Sequence, residues 1–247
     1  MDYGAIVLIS VLAAAAQAVL GFGYSLLFAP VAALLVAPSD AIGASIITGT
    51  VGSVFYYLEY RPRTPVREVA PMALAAIVAA PLGLWLLVAA DEVTLRLLIG
   101  LTVLASAVFT LTLQGEPHPR RAGRLPVELG VGLVSGVMRG AVSLPGPAVI
   151  LYHHWAGGGA EGIRSRMFSY FVWTGVPTVL LGLGGQVFAP STWGFAAAAI
   201  GGLAPGIALG RLGRPRLSER LFSRLSMALL AATSAMAIFR ALASLSG

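Results

Sequence analysis

Few side chains in this sequence can do chemistry, and those that stand out sit beside two interruptions in otherwise apolar runs. Arg139 opens the stretch RGAVSLPGP, residues 139–147. A lipid-spanning helix has no physical reason to hold an arginine, two prolines and two glycines there. Broken helices at membrane depth are tolerated only where protein or a water-filled cavity satisfies the freed backbone groups, so this stretch should line a cavity. A guanidinium at a helix centre costs about 2.5–3.5 kcal/mol on insertion scales, so Arg139 should be paired. An anionic substrate is one partner. The other reading is a structural arginine bonded to the broken hairpin's carbonyls or to an internal glutamate.

An earlier stretch, GFGYSLLFAP at 21–30, has the same place in the first half of the chain. Helix arms starting near Tyr24 and Gly146 would present unbonded N–H groups and a positive dipole end, which suits an anion without any side-chain charge. Ser25, Ser143 and Tyr24 add hydroxyl donors. Gly21, Gly23 and Gly146 serve either such a site or close helix packing. Gln17, one turn before Gly21, reaches the same cavity or bonds a neighbouring helix. Thr48, Thr50, Ser169, Tyr170, Trp173 and Thr174 lie at matching places on the following helices, where they wall the cavity or pack. His153 and His154 point about 100° apart on a helix and do not chelate as an i, i+4 pair would. With Trp155 they read as an interfacial group at a membrane edge, with a proton relay as the alternative.

Other chemistry is excluded by composition. All 16 basic residues are arginine, which removes a Schiff-base lysine, and there is no cysteine for a disulfide, thiolate metal site or nucleophile. Three histidines without an HExxH motif leave no metal site, and no cofactor motif is present. An intramembrane hydrolase would need Ser143 with a histidine and an acid, but no G-x-S-x-G elbow exists. A helix-packing scaffold does not account for two matched breaks. Transport of a small anion is therefore the leading reading, with the enzyme and the scaffold as alternatives.

The elements that must position these residues are membrane helices. The chain is 57% hydrophobic and 11% charged, with mean hydropathy +0.87, far from a soluble domain. Nothing in the first residues resembles a cleaved signal peptide. At about 20 residues per span, full helices are predicted near 41–60, 68–89, 93–114, 163–184, 191–211 and 217–243. Runs 4–37 and 126–156 are longer, and each carries a break.

The net charge of +6 comes from arginines clustered between apolar segments, which fits the positive-inside rule and not nucleic-acid binding. Four loops, at 61–68, 116–124, 162–166 and 211–220, hold twelve arginines. They fall on one face only if the second broken run enters and returns as a re-entrant hairpin. That face is then cytoplasmic. Sliding the chain by 122 lays Gly21 on Ser143 and Gly23 on Pro145; a slide of 124 aligns Ala80-Pro81 with Ala204-Pro205, read as a matched Pro/Gly break. The predicted fold is an all-α integral membrane protein forming one transporter domain over 1–247. It holds two inverted repeats, 1–118 and 119–247, each a re-entrant helical hairpin followed by three transmembrane helices.

The paired motifs GFGYSLLFAP and SGVMRGAVSLPGPAVILY, with an arginine-bearing central loop in a chain of this length, resemble the sulfite exporter TauE/SafE family over nearly the whole chain. The resemblance implies a permease for small sulfur-containing anions such as sulfite or organosulfonates, not an enzyme. It implies a multi-pass protein of the cell (inner or plasma) membrane. Its expected partners are the anionic substrate, the lipid bilayer and, on self-association, a second copy in a homodimer, with no nucleic acid.

Overall fold

The computed structural model describes residues 3–20, 23–60, 66–112, 124–157 and 159–213. Among them are nine α-helices: α1 (Tyr3–Leu20), α2 (Tyr24–Ala32), α3 (Pro38–Tyr60), α4 (Ala70–Ala89), α5 (Glu92–Thr112), α6 (Leu125–Val142), α7 (Gly146–Ala156), α8 (Gly159–Gly184) and α9 (Pro190–Gly213). Five of them, α3, α4, α6, α8 and α9, are long and apolar enough to cross a membrane. The chain is a multi-pass membrane protein, all-helical among the described residues. The helix expected at 217–243 lies outside the described residues.

Both anticipated breaks exist. The first separates α1 from α2, and the second is the linker Ser143–Pro145 between α6 and α7. Pro81 and Pro205, expected to break α4 and α9, instead lie inside continuous helices, on exposed positions. A helix that loses one backbone bond at a proline carries on when packing holds both sides of it.

Most helices begin at a proline or within a residue or two of one: Pro38 opens α3, Pro190 opens α9, and Pro71 and Pro126 sit in the first turns of α4 and α6. Proline suits this position because the first helical N–H groups have no intrahelical acceptor to lose.

Two helix pairs carry the closest packing, and both are made by glycine. On α6, Cβ atoms added at Gly132, Gly136 and Gly140 would come within 2.3, 2.2 and 2.7 Å of the carbonyl oxygens of Met72, Ala76 and Ala80 on α4. On α9, the same construction at Gly202, Gly206 and Gly210 meets the carbonyls of Val7, Val11 and Ala15 on α1 at 2.7, 2.5 and 2.6 Å. Each step of four on one helix matches a step of four on its neighbour, so the members of each pair run parallel with their backbones in contact. Apolar side chains are no drier against protein than against lipid, so close backbone approach is what drives such association. The pairing also exchanges the halves: the first helix of each half lies on the fourth helix-forming segment of the other. Between the pairs, α3 and α8 meet at the stacked rings of Tyr56 and Phe168, 5.2 Å apart.

The chain turns back at each break. Tyr152, late in α7, donates to Glu128 in the first turn of α6 at 2.6 Å, and Ser135 on α6 donates to the Pro145 carbonyl at 2.8 Å. In the first half, Tyr3 at the start of α1 lies against Gly194, and Ala33 just after α2 accepts a 2.6 Å bond from Arg96 near the start of α5. Ser39, Glu92, Leu95 and Thr192 meet around one pocket at that end of the bundle.

Candidate functional site

The two breaks face one cavity. It is lined by Gln17 from α1; Gly23, Tyr24, Ser25 and Leu26 at the start of α2; Ser45, Ile46, Gly49 and Ser53 from α3; Arg139 from α6; Ser143, Leu144 and Pro145 from the linker; and Phe171 from α8. Its volume is about 40 Å³. A bound water needs roughly 10–15 Å³ by this measure, so the space suits about three water-sized bodies, the scale of a small oxyanion.

Each tip is shaped by one residue in left-handed backbone. Gly23 has φ 105° and precedes the first turn of α2, a geometry that glycine adopts without steric cost. Its carbonyl takes the Leu27 N–H at 3.2 Å, leaving the earlier amides of the turn without an intrahelical acceptor at the cavity. Ser143 closes α6 with φ 60° and ψ 21°. Its N–H bonds the Arg139 carbonyl at 3.0 Å, the 5→1 bond of an αL cap whose left-handed residue is usually glycine, and the Leu144 N–H bonds the Met138 carbonyl at 3.2 Å. A serine here accepts backbone strain, and strain of this kind clusters at functional sites. What the serine gains is a hydroxyl: Ser143 Oγ lies 3.0 Å from Ser45 Oγ and 3.3 Å from Ser25 Oγ, joining the two tips to α3.

Arg139 is 7% exposed and lies with its guanidinium carbon 5.7 Å from the Phe171 ring centre, a cation–π distance. Its Nε is buried without a hydrogen-bond partner, and no carboxylate pairs with it among the described residues. The two structural partners open to it, a hairpin carbonyl or an internal glutamate, are thus absent among those residues. Gly175 on α8 keeps the space beside it clear, since a Cβ there would stand 3.3 Å from Nη1 and 2.8 Å from Thr50 Oγ1. Gln17 is also buried, and its Oε1 has no partner among the described residues.

The remaining expected residues are placed as follows. Tyr24 lines the cavity, but its hydroxyl is held 2.9 Å from Ser10 Oγ, which itself donates to Ala199 O at 2.5 Å. Gly146 begins α7 directly after the lining residue Pro145. Gly21 lies outside the described residues. Thr48 donates to Ala196 O at 3.5 Å, Thr50 to Ile46 O at 2.7 Å and Thr174 to Tyr170 O at 2.8 Å, so these hydroxyls are engaged by backbone. Ser169 is buried and is not one of the lining residues. Tyr170 donates to Ser135 at 2.8 Å and so braces the serine that holds Pro145. Trp173 departs from the cavity-wall expectation: it is 44% exposed on the outside of the bundle. His153 departs from the interfacial one, being 2% exposed, with neither ring nitrogen bonded among the described residues.

Ser45, Ser53 and Phe171 are lining residues that sequence reading missed. Ser45, Gly49 and Ser53 recur at steps of four, which places them on one face of α3, and this small-residue stripe was the available signal.

One buried guanidinium, several hydroxyls and one helix start around a small space can hold an anion. Neither a curated protein nor a solved structure matches the chain. The family model for the sulfite exporter TauE/SafE does match, over residues 6–237. That span takes in both breaks, the cavity and all nine helices but the first residues of α1, and the chain belongs to the sulfite exporter TauE/SafE family of membrane transporters.

Proposed function

We propose that the chain exports a small sulfur oxyanion, with sulfite as the reference substrate, and that the cavity between the two tips is where the anion binds. The observation that carries this reading is Arg139: a buried guanidinium at the cavity with no protein anion beside it among the described residues. Ser25 and Ser143 supply hydroxyl donors, and the first turn of α2 supplies amides and the positive end of its dipole. Together they replace the water that the anion gives up. The family's export of sulfite gives the substrate class, and the cavity volume favours a compact inorganic anion over an extended organosulfonate.

The same reading takes each broken run as a re-entrant hairpin in one of two inverted repeats, 1–118 and 119–247, with access alternating around the site. Three things support it: the return of α7 along α6, the meeting of the start of α1 and the end of α2 at one end of the bundle, and the exchanged glycine pairs. The arginine-rich loops then face the cytoplasm and Ser39 and Ser191 face away from it, in the cell membrane.

The test is sulfite uptake into inside-out vesicles or proteoliposomes, with binding followed by thermal shift. Arg139→Gln should abolish anion-induced stabilisation, and Arg139→Lys should restore it in part, because an ammonium lacks the bidentate fork. Wild-type transport and affinity in a correctly inserted Arg139→Gln protein would remove the site from this cavity.

A further inference from the structure

The offset of 122 residues that lays Gly21 on Ser143 also lays Gln17 on Arg139. The two side chains come to the cavity from α1 and α6, the exchanged first helices, and both line it. Both are buried, and each keeps a polar atom without a partner among the described residues, Oε1 in one and Nε in the other. One repeat position therefore supplies two walls of the site with unlike chemistry. A guanidinium is a donor with a full charge; an amide is neutral and offers an acceptor as well as donors.

Among the described lining residues no aspartate, glutamate, lysine or histidine appears, and the only titratable groups are Arg139 and Tyr24. The wall carries one positive charge where two equivalent arginines would have carried two. Removing charge from water is favourable only when it is matched by a partner, and here one negative charge is matched while a second would be left over. A fully deprotonated dianion would also turn acceptors toward the amide oxygen, whereas an anion that still carries a hydrogen can donate to it. Resting on the anion site proposed above, we propose that the cavity is built for a singly charged oxyanion bearing a proton, the hydrogen sulfite form, and that Gln17 sets this limit. The proton then leaves the cell on the substrate, with no protein carboxylate needed to carry it.

Three probes separate charge from shape: chlorate, a pyramidal three-oxygen monoanion; sulfite at alkaline pH, the same shape as a dianion; and sulfite at mildly acidic pH, as hydrogen sulfite. Chlorate at both pH values controls for changes in the protein. Wild-type protein should bind chlorate and acid sulfite at least tenfold more tightly than alkaline sulfite, the ratio expected for one charged hydrogen bond. Gln17→Arg should reverse the order of chlorate and alkaline sulfite. Gln17→Met, which keeps length and removes both hydrogen-bonding groups, should weaken acid sulfite about tenfold while chlorate changes less than threefold. If Gln17→Arg does not fold, the wild-type ratio and Gln17→Met decide. Equal binding of chlorate and alkaline sulfite by wild type, or a Gln17→Met change that is the same for both monoanions, overturns the proposal. Binding that depends on Arg139 but favours the dianion overturns this inference alone. Loss of Arg139 dependence overturns the site itself and this inference with it.

Discussion

Replacing Arg139 by methionine should make the empty protein more stable and deprive it of its anion response. A guanidinium at a helix centre costs about 2.5–3.5 kcal/mol. The contact with Phe171, at 5.7 Å, offsets up to about 2 kcal/mol of that when desolvated. Methionine keeps an unbranched stem in the same space, and its sulfur recovers roughly 0.3–1.5 kcal/mol against the ring. The balance is a gain of about 1–3 kcal/mol for Arg139→Met without ligand, or roughly 2–12 °C in melting temperature for a chain of this size. Saturating sulfite reverses the order: at a thousandfold excess over Kd, binding stabilises the wild type by about 4.1 kcal/mol and leaves the variant unchanged. Melting curves of the two proteins in the same detergent, taken across a sulfite titration, should therefore cross. A variant less stable than wild type in the absence of anion would mean that the guanidinium holds the fold together, and the charge would then have to be partnered within the protein. Parallel curves with no crossing would refute the link between Arg139 and the anion.

The glycine contacts predict that Gly136→Leu costs about 3 kcal/mol or more, because its Cβ would stand 2.2 Å from the Ala76 carbonyl and backbone cannot yield as a side chain does. Gly201→Ala on α9, where a Cβ meets nothing within 4 Å, should be neutral or stabilising by up to about 1 kcal/mol in the same melts. Asp40 in the first turn of α3 accepts from Ser191 at 2.9 Å and Thr192 at 2.6 Å at the start of α9, so Asp40→Ala should cost about 1.5–3 kcal/mol and Asp40→Asn distinctly less, read by denaturation. Asp91, in the turn before α5, accepts the Thr94 N–H at 2.7 Å, and its bonds to Thr94 hold its carboxyl below the usual range. A lowered folded value means that the cap is fully present above the ordinary carboxylate range and is lost as pH falls through the lowered one. Hydrogen exchange at the Thr94 amide should therefore quicken relative to its neighbours in acid, and Asp91→Asn should remove that pH dependence.

The parts of this protein that were legible in its sequence are those where residue type contradicts the lipid environment. Arg139 and the prolines and glycines after it have no place in an uninterrupted span, and the structure breaks the helix there and puts Arg139 on a cavity. Helix cores were equally readable, with 41–60 expected against Pro38–Tyr60 and 191–211 against Pro190–Gly213. The starts fell short because hydropathy counts a proline as an interruption, whereas the first turn of a helix accepts it. The direction of each face was not readable. In a soluble helix an apolar stripe marks the inside, but in a membrane both lipid and protein take apolar residues, so nothing marked Trp173 as outward. The orienting signal is size: Gly132, Gly136 and Gly140, or Gly202, Gly206 and Gly210, show the contacting face, and Ser45, Gly49 and Ser53 the cavity face. Ser143 was readable as a hydroxyl donor but not as the left-handed cap of α6, since such a cap predicts glycine.

The glycine pairs also bear on what would move during transport. Because α1 is seated on α9 and α6 on α4, displacing one sequence half against the other would shear two interfaces in which backbone touches backbone. Closely packed surfaces resist that, and they move as units past looser ones. On the alternating-access reading the moving bodies are therefore the α1–α9 pair and the α4–α6 pair, each built from both halves of the sequence. Gln17 travels with the first and Arg139 with the second. The anion between them is then a tie across the moving boundary, and opening the boundary releases it. The hydroxyls of Ser25 and Ser143, 3.3 Å apart, cross the same boundary at the tips. With no native cysteine to interfere, a Ser25→Cys/Ser143→Cys pair can be oxidised selectively. Oxidation should arrest the sulfite transport that the reduced Cys/Cys protein retains and reductant should restore it to that protein's own level, the comparison being made within the variant because both positions line the anion site. Transport that continues with the bond formed would show that the tips stay together throughout the cycle, and the two pairs would then have to move as one body.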